Sequence, residues 1–291
     1  MTWGSPRVPA IPALDPAAIM RAVDLITRAD GIIIAAGAGM GVDSGLPDFR
    51  GNAGFWRAYP ALAGDGIAFM DIASPAAFHA DPRRAWGFYG HRLALYRDTE
   101  PHHGHGLLRR WADAAQYGAL VFTSNVDGHF EKAGFDPLQV DECHGSIHYL
   151  QCLTPCSDDV WSASSFVPTV DESRCELLSP LPVCPRCGGL ARPNILMFND
   201  SGWIGAWHER RAARRQGWLD RVRRPVIIEL GAGTALPTVR HFSHRMTLQH
   251  NAALIRINPQ NPQIGNLPGI AIEGGALDVL SAIDKYREHR R

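Results

Sequence analysis

Five apolar runs constrain the fold of this chain more than any other feature of its sequence. Each run is continuous rather than alternating, and each ends abruptly in small or polar residues. Continuous apolar strands are typical of a parallel sheet that is covered on both faces, so the sequence predicts an α/β fold. The runs are GIIIAAGAG (31–39), GALVFTSNVDG (118–128), PVIIELGAGT (225–234), AALIRINPQ (252–260) and GIAIEGGALDVL (269–280).

The residues at the ends of these runs favour a nucleotide ligand. In open parallel sheets, ligands bind outside the carboxyl ends of the strands. Backbone N–H groups at glycine turns suit phosphates, and Asn or Asp side chains suit ribose and amide groups. One such end could be an ordinary strand-exit turn, but five together favour a nucleotide. The residues are Gly37, Gly39, Asn125, Asp127, Gly231, Gly233, Thr234, Asn258 and Gly275.

The first glycine loop does not match the fingerprint of dinucleotide-binding dehydrogenases. The third glycine of G-x-G-x-x-G would fall on Val42, and no acidic residue ends a second strand about twenty residues later. The loop therefore indicates a different way of holding a cofactor.

Two segments do not follow the strand–helix alternation. Residues 52–104 are predicted to be mostly helical, with helix starts at Ser74–Pro75 and Asp81–Pro82. A further helix is predicted to begin at Asp15–Pro16. Residues 146–203 are irregular and rich in Pro, Ser and Cys. Both segments are interpreted as insertions into the sheet that could pack together as a smaller domain.

Cysteine spacing predicts a metal site. CLTPC contains Cys152 and Cys156, and CPRCGG contains Cys184 and Cys187. Two close pairs on separate turns are typical of a closed tetrahedral zinc site, so we expect a structural zinc ion. Cys175 could compete for a ligand position, and Cys143 is interpreted as a buried thiol.

Composition argues against two classes of partner. The formal net charge is zero, so no overall field attracts nucleic acid or an anionic membrane. No run approaches the roughly 18 apolar residues that span a bilayer, and MTWGSPRVPAIPALDP lacks the pattern of a secretory signal. We expect a cytoplasmic protein without membrane or specific nucleic-acid partners. The arginine-rich segment 208–224 is predicted to form a solvated helix face.

The order of these motifs resembles that of the sirtuin family, the NAD-dependent protein lysine deacylases. SGLPDFRG ends the first glycine loop, and TSNVD, HGS, the two cysteine pairs, GAGTALPTV and IN follow in turn. The resemblance implies that NAD and an acyl-lysine protein or peptide enter a cleft between two domains from opposite sides. It implies a Rossmann-like parallel sheet domain (15–51, 105–145 and 204–291) and a smaller domain made of a helical module (52–104) and a zinc-binding module (146–203).

The resemblance also implies roles for individual residues. Asn125 and Asp127 would fix the nicotinamide end of NAD, and His144 would be the general base, for which its near-neutral pKa is suited. Nicotinamide and O-acyl-ADP-ribose would be the products. Met197 and Phe198 would contact the acyl substrate. The cofactor-binding residues would be Gly37, Ala38, Gly39, Asp48, Phe49, Arg50, Ser124, Asn125, Asp127, Gly233, Thr234, Asn258 and Ala276.

The chain departs from the family pattern at several positions. Gly41 and Ala235 each replace a Ser, and Ser124 replaces a Gln. The Ser124 and Ala235 replacements would each remove a hydrogen bond to ribose. The strand end that usually reads FGE reads FND (198–200), which alters the peptide-binding edge.

One further motif indicates the acyl group. Tyr89 and Arg92 lie three residues apart on a predicted helix, hence on one face. They resemble the Tyr-x-x-Arg motif of class III sirtuins, which prefer acidic acyl groups such as succinyl and malonyl. An arginine can bind a carboxylate through two parallel N–H bonds. The alternative is an amphipathic helix with Arg92 in solvent.

The motifs leave three functions open. The leading hypothesis is a desuccinylase or demalonylase, with deacetylation possible. The alternatives are mono-ADP-ribosyl transfer or NAD hydrolysis on the same fold, and a non-catalytic NAD-binding interaction module. The segment 157–183 could gate the cleft or lengthen the zinc-binding module.

Overall fold

The computed structural model describes residues 14–47 and 51–289. The strands are β1 (Gly31–Ala36), β2 (Ala119–Thr123), β3 (Val140–Glu142), β4 (Gly145–Cys152), β5 (Val160–Ser162), β6 (Val170–Asp171), β7 (Glu176–Leu177), β8 (Ala191–Ile195), β9 (Pro225–Leu230), β10 (Ala253–Ile257) and β11 (Gly269–Ile272). The helices are α1 (Pro16–Arg28), α2 (Gly39–Val42), α3 (Gly51–Ala58), α4 (Pro60–Gly64), α5 (Phe69–Ile72), α6 (Pro75–Ala80), α7 (Pro82–Asp98), α8 (His103–Ala114), α9 (His129–Lys132), α10 (Ala206–Leu219), α11 (Thr238–His250) and α12 (Ala276–Glu288), with a 3₁₀ turn at Pro137–Gln139.

The large sheet is parallel throughout and has the order β11-β10-β9-β1-β2-β3. All five apolar runs contribute a strand to it, which confirms the predicted α/β class. The order reverses beside β1, since the chain runs outward through β2 and β3 and then returns to β9 on the other side. Such a reversal opens a crevice at the carboxyl ends of the two central strands.

Strand β3 was not predicted. It has only three residues, and two of them, Asp141 and Glu142, are acidic. Both carboxylates are nevertheless buried, because α10 packs over this edge of the sheet and supplies arginines to them. No apolar pattern could have indicated a strand whose burial depends on ion pairs.

Helices cover both faces of the large sheet. On one face, Ile32 and Ile34 pack with apolar residues of α1, α8 and α12. On the other face, Ile33 packs with residues of α10 and α11, including Phe242. This alternation along one strand explains why β1 is apolar at every position: both of its faces lie in a core.

The predicted helix starts are confirmed. Asp15 Oδ1 accepts a hydrogen bond from the Ala17 N–H at 2.9 Å. Ser74 and Asp81 bind the N–H groups of Ala77 and Arg84 in the same way, at 3.3 and 3.0 Å. Each cap precedes a proline in the first turn, where the missing N–H costs no helical hydrogen bond.

Residues predicted to be irregular form two further sheets. The order β5-β4-β8 is antiparallel, and β6 pairs with β7. Their apolar side chains share a second core with the helical segment, including Phe88 and Trp86 on α7 and Ile147 on β4. The two inserted segments therefore pack together as expected, and the domain boundaries given above stay a prediction.

The segment 157–183 lies along α7. Arg97 donates to the Phe166 and Ala163 carbonyls at 2.8 and 2.7 Å, and Arg83 donates to the Leu177 carbonyl at 2.8 Å. A Cβ at Gly87 would lie 2.1 Å from the Cys175 carbonyl oxygen, so the backbones touch here. The segment thus joins the helical and zinc-binding modules.

The prediction for the basic segment 208–224 is partly wrong. Arg210 and Arg214 are exposed as expected. Arg215 instead pairs with Asp141, and Arg211 lies 3.4 Å from Glu142. This face of α10 therefore packs on β3 instead of facing solvent. Among the described helices, none is long and apolar enough to span a bilayer.

Three neutral histidines should make stability sensitive to acid. The rings of His102 and His105 lie 4.5 Å apart, and those of His105 and His129 lie 5.8 Å apart. Burial, assisted by the two neighbours, lowers the pKa of His105 to about 3. In the unfolded chain a histidine binds a proton near pH 6.5, whereas His105 in the folded protein stays neutral until about pH 3. The folded state therefore has its full stability above pH 6.5 and loses stability relative to the unfolded state as the pH falls toward 3.

We therefore expect the melting temperature, followed by circular dichroism, to fall between pH 7 and pH 4. The decrease in the free energy of unfolding approaches about 1.4 kcal/mol per pH unit for each such histidine. His105→Gln should make the fall shallower, whereas His103→Gln, at an exposed neighbour, should not. If the melting temperature falls equally steeply with pH in the unsubstituted protein and in both variants, the proposed effect of His105 is wrong.

Candidate active site

The loops that follow β1 and β9 touch through their backbones. A Cβ at Gly37 would lie 2.8 Å from the Gly231 carbonyl oxygen, and one at Gly39 would lie 2.7 Å from the Gly231 Cα. Gly231 itself has φ +58°, and a Cβ there would lie 2.4 Å from the Gly39 carbonyl carbon. Side chains at these positions would push the loops apart. The glycines therefore set the floor of the crevice.

Gly41, unusual by the family pattern, has a packing explanation. It is buried in the short helix α2, and a Cβ there would lie 3.2 Å from Leu46 Cδ1. That distance is tight for a side chain, and a glycine lets Leu46 pack directly on the helix backbone.

Asn125 and Asp127 lie at the carboxyl end of β2, beside the first glycine loop. The Asn125 amide donates to the Gly37 carbonyl at 3.1 Å, and its N–H donates to Thr123 Oγ1 at 3.0 Å. Asp127 is buried, and its Oδ1 accepts the His129 N–H at 2.9 Å. Both side chains are thus fixed by local hydrogen bonds before any ligand arrives.

His144 reaches the same edge from β3. The Thr123 carbonyl accepts the Cys143 N–H at 2.9 Å, which places the turn containing His144 next to the end of β2. The His144 carbonyl accepts the Leu196 N–H at 2.9 Å. Burial, with a smaller effect of His208, lowers the pKa of His144, and a hydrogen bond to the Ser124 backbone opposes this. A half-buried neutral imidazole can accept a proton at neutral pH.

Glu142, next to this turn, belongs to no sequence motif. It is fully buried, and burial followed by the nearby Glu131 raises its pKa to about 8, although Arg211 opposes the shift. His148 belongs to no sequence motif either, and its Nε2 lies 2.8 Å from the Asp127 carbonyl oxygen. No spacing rule could identify either residue, because both contacts join separate elements.

The predicted adenosine residues lie across the crevice. Asn258 is buried, and its amide donates to the Ala232 carbonyl at 2.8 Å. Gly233 and Thr234 are exposed, and no atom of the described residues lies within 4 Å of a Cβ built at Gly233. Ala276 begins α12, whose next N–H, that of Leu277, donates to Asp43 Oδ2 at 2.8 Å.

The chemistry of these groups fits NAD. Ala38 and Gly233 are exposed at the strand ends, so their backbones are accessible to a diphosphate. The carboxylate of Asp127 matches the N–H groups of a carboxamide, and the structure brings Ser124, Asn125, Asp127 and His144 to one edge. Asp48, Phe49 and Arg50, also predicted to bind NAD, lie outside the described residues.

The predicted acyl-binding residues lie on α7 and directly after β8. Tyr89 and Arg92 are both buried on α7, so the alternative of a solvated Arg92 is wrong. Phe198 follows β8, and its ring lies 5.7 Å from Phe69, which in turn lies 6.3 Å from Phe88. Aromatic contacts thus connect the predicted substrate strand to α7, and Met197 is buried in the same core.

The altered FND sequence forms an ordered turn. Asn199 has φ +54°, a conformation that asparagine tolerates in place of glycine. Asp200 accepts hydrogen bonds from Arg192, at 2.8 Å, and from the Met197 and Gly202 N–H groups. Arg192 and Asp200 are both completely buried, so the replacement residues stabilise the turn.

The four predicted cysteine ligands converge. Their sulfur atoms all lie within 4.8 Å of one another, and the Cys152–Cys187 and Cys156–Cys184 pairs are each 3.7 Å apart. Four thiolates at about 2.3 Å from a central zinc lie about 3.8 Å apart, so the arrangement fits tetrahedral zinc. Cys175 and Cys143 are buried elsewhere, so Cys175 is not a competing ligand.

Comparisons with known proteins agree with this architecture. The model of the Sir2 family matches residues 37–212. NAD-dependent protein deacylase 1 of Pseudomonas aeruginosa is 31% identical over 264 residues, covering 90% of this chain and 96% of that protein. The NAD-dependent protein deacylase of Thermococcus kodakarensis is 29% identical and covers 89% and 91%. A solved structure of a Sir2 homologue with NAD has a TM-score of 0.70 at 23% identity, covering 93% of this chain and 94% of that one.

The cysteine geometry predicts about one zinc ion per chain, measurable by elemental analysis of the purified protein. Cys184→Ser should lose most of the zinc and lower the melting temperature, because a structural zinc contributes to folding stability. Cys143→Ser, at a buried cysteine outside the cluster, should retain the metal. Full zinc content in Cys184→Ser would contradict the assigned site.

Proposed function

The chain belongs to the Sir2 family, and we propose on this basis that it is an NAD-dependent protein lysine deacylase that prefers acidic acyl groups such as succinyl and malonyl. The family and the activity named for its relatives support the deacylase part. The observation that carries the acyl preference is a buried arginine, Arg92, on the helix beside the candidate site.

Bound NAD supplies a ribose carbon from which nicotinamide can leave and a ribose hydroxyl that can take the acyl group. The backbone around Gly37, Ala38 and Gly39 would hold its diphosphate. Asp127 would bind the carboxamide of the nicotinamide, with Asn125 beside it. Gly233, Thr234, Asn258 and Ala276 would line the adenosine, as the position of their loops across the crevice supports.

His144 would be the general base. It would accept a proton from a ribose hydroxyl of bound NAD, which would make that oxygen a better nucleophile toward the acyl carbon. Positioned acid–base groups contribute roughly 10²–10⁴-fold to such steps. The lowered pKa of His144, which follows mainly from burial, keeps the ring unprotonated and able to accept that proton.

Arg92 would bind the carboxylate at the end of a succinyl or malonyl chain. A guanidinium stays charged at any physiological pH and can form two parallel hydrogen bonds with a carboxylate. Arg92 lies beside the aromatic rings of Phe88, Tyr89 and Tyr96, 5.2, 5.6 and 5.3 Å from their centroids. In these low-dielectric surroundings, a charge–charge interaction is stronger than it is in water.

Substitution of the proposed base tests the mechanism. His144→Ala should lower kcat by at least about 10²-fold while circular dichroism shows an intact fold. In the unsubstituted enzyme the acid limb of kcat/KM should lie below pH 6.5, since a lowered pKa keeps the base unprotonated into mild acid. Normal turnover by the variant would refute the assigned role of His144.

A panel of acyl-lysine peptides with NAD, analysed by mass spectrometry, tests the activity and the preference together. Removal of the acyl group with formation of O-acyl-ADP-ribose indicates deacylation, whereas a mass increase of the protein or peptide by ADP-ribose indicates transfer. Arg92→Met should lower kcat/KM on succinyl-lysine roughly tenfold or more, as expected for a hydrogen bond to a charged group, with little effect on acetyl-lysine. Equal losses on both peptides would disprove carboxylate recognition.

A further inference from the structure

Tyr96 lies one helical turn after Arg92 on α7 and holds its guanidinium. Arg92 Nε and Nη2 donate to the same Tyr96 oxygen, at 3.0 and 2.8 Å. Both side chains are buried, with residue exposures of 8% and 5%. Two donors that share one acceptor fix the direction and the plane of the guanidinium, which a single hydrogen bond would not do.

The partner is uncharged. Burial raises the pKa of Tyr96, although Arg92 opposes the shift and Asp127 adds to it, so the phenol keeps its proton at neutral pH. A neutral oxygen orients a guanidinium without cancelling its charge. Tyr96 therefore does not neutralise the positive charge of Arg92, which would attract an acidic acyl group.

The location of Tyr96 connects the two ends of the candidate site. It is close enough to Asp127 for the carboxylate to raise its pKa, and Asp127 lies where nicotinamide is expected. Tyr96 shares the second core with Val126, Ile147 and Met197, residues that flank the predicted cofactor and substrate positions. The phenol thus bonds to Arg92 on the predicted acyl side and shares a core with the neighbours of the predicted nicotinamide-binding residues.

We propose that Tyr96 is a positioning residue that sets specificity for acidic acyl groups by holding the guanidinium of Arg92 in its binding orientation. The proposal rests on the acyl preference inferred above. With Nε and Nη2 held by Tyr96, the guanidinium would keep one orientation toward a bound carboxylate. Because the arginine is ordered before binding, the ligand does not have to restrict a flexible side chain, and this preorganisation strengthens binding.

The test compares a peptide carrying succinyl-lysine with the same peptide carrying acetyl-lysine at saturating NAD. Tyr96→Phe keeps the ring and removes the oxygen. We expect KM for the succinyl peptide to rise roughly five- to twentyfold, as for the loss of a hydrogen bond to a charged group. The kcat values and KM for the acetyl peptide should change less than about twofold, because the reacting atoms are untouched.

A double mutant separates positioning from a general structural effect. In Arg92→Met, the added Tyr96→Phe should leave the succinyl-to-acetyl ratio of kcat/KM unchanged, because Tyr96 acts through Arg92. Tyr117→Phe is the control: it removes a phenol oxygen just before β2, where the ring packs against a different core, and it should preserve the ratio. Both peptides are assayed on one sample, so incomplete folding cancels from the ratio.

The outcomes are distinguishable. A selective loss in Tyr96→Phe that disappears in the Arg92→Met background supports the proposal. A loss equal for both peptides, or one that persists without Arg92, overturns it while leaving the acyl preference standing. If Arg92→Met itself fails to alter the ratio, the acyl preference is wrong and the role of Tyr96 is overturned with it.

Discussion

The backbone contact between the first glycine loop and Gly231 is the constraint on which the candidate site depends. It occurs where the order of the large sheet reverses, between β1 and β9, so the two loops would otherwise separate and leave an open gap. Glycine at Gly37, Gly39 and Gly231 lets the loops meet at backbone distance. Asn125 bonds to Gly37 in one loop, and Asn258 bonds to Ala232 in the other. The contact between the two loops therefore determines where both asparagines lie.

Main-chain hydrogen bonds transmit that geometry to the inserted part of the protein. The Ile147 N–H donates to the Val126 carbonyl at 3.0 Å, and the Leu196 N–H donates to the His144 carbonyl at 2.9 Å. With His148 bound to the Asp127 carbonyl, β4 is attached to both turns that carry the proposed catalytic residues. The small antiparallel sheet is therefore part of the site as well as the support of the cysteine cluster.

The sequence predicts those parts of the structure that follow from local rules. Apolar runs identify five strands of the large sheet, Asp and Ser before proline identify helix starts, and cysteine spacing identifies four converging thiols. It does not predict β3, whose buried acids depend on arginines of α10, nor the sheets within residues 146–203. The contact between Tyr96 and Arg92 could have been predicted from the sequence, since Tyr96 follows Arg92 by four residues on one helix face. The contacts of Glu142 and His148 could not, because their partners are distant in the chain.

Two buried arginines, Arg92 and Arg192, differ in the groups to which they bond. Arg192 bonds to a carboxylate, that of Asp200, with both side chains completely buried. The pair cancels its charge locally, and removing one member would leave the other unpaired, which is strongly destabilising. Arg92 bonds instead to a neutral phenol and lies beside three aromatic rings. The phenol and the three aromatic rings stabilise the cation without themselves carrying a negative charge. Arg192 is thus suited to hold the FND turn, whereas the proposed selection of an acidic acyl group depends on Arg92.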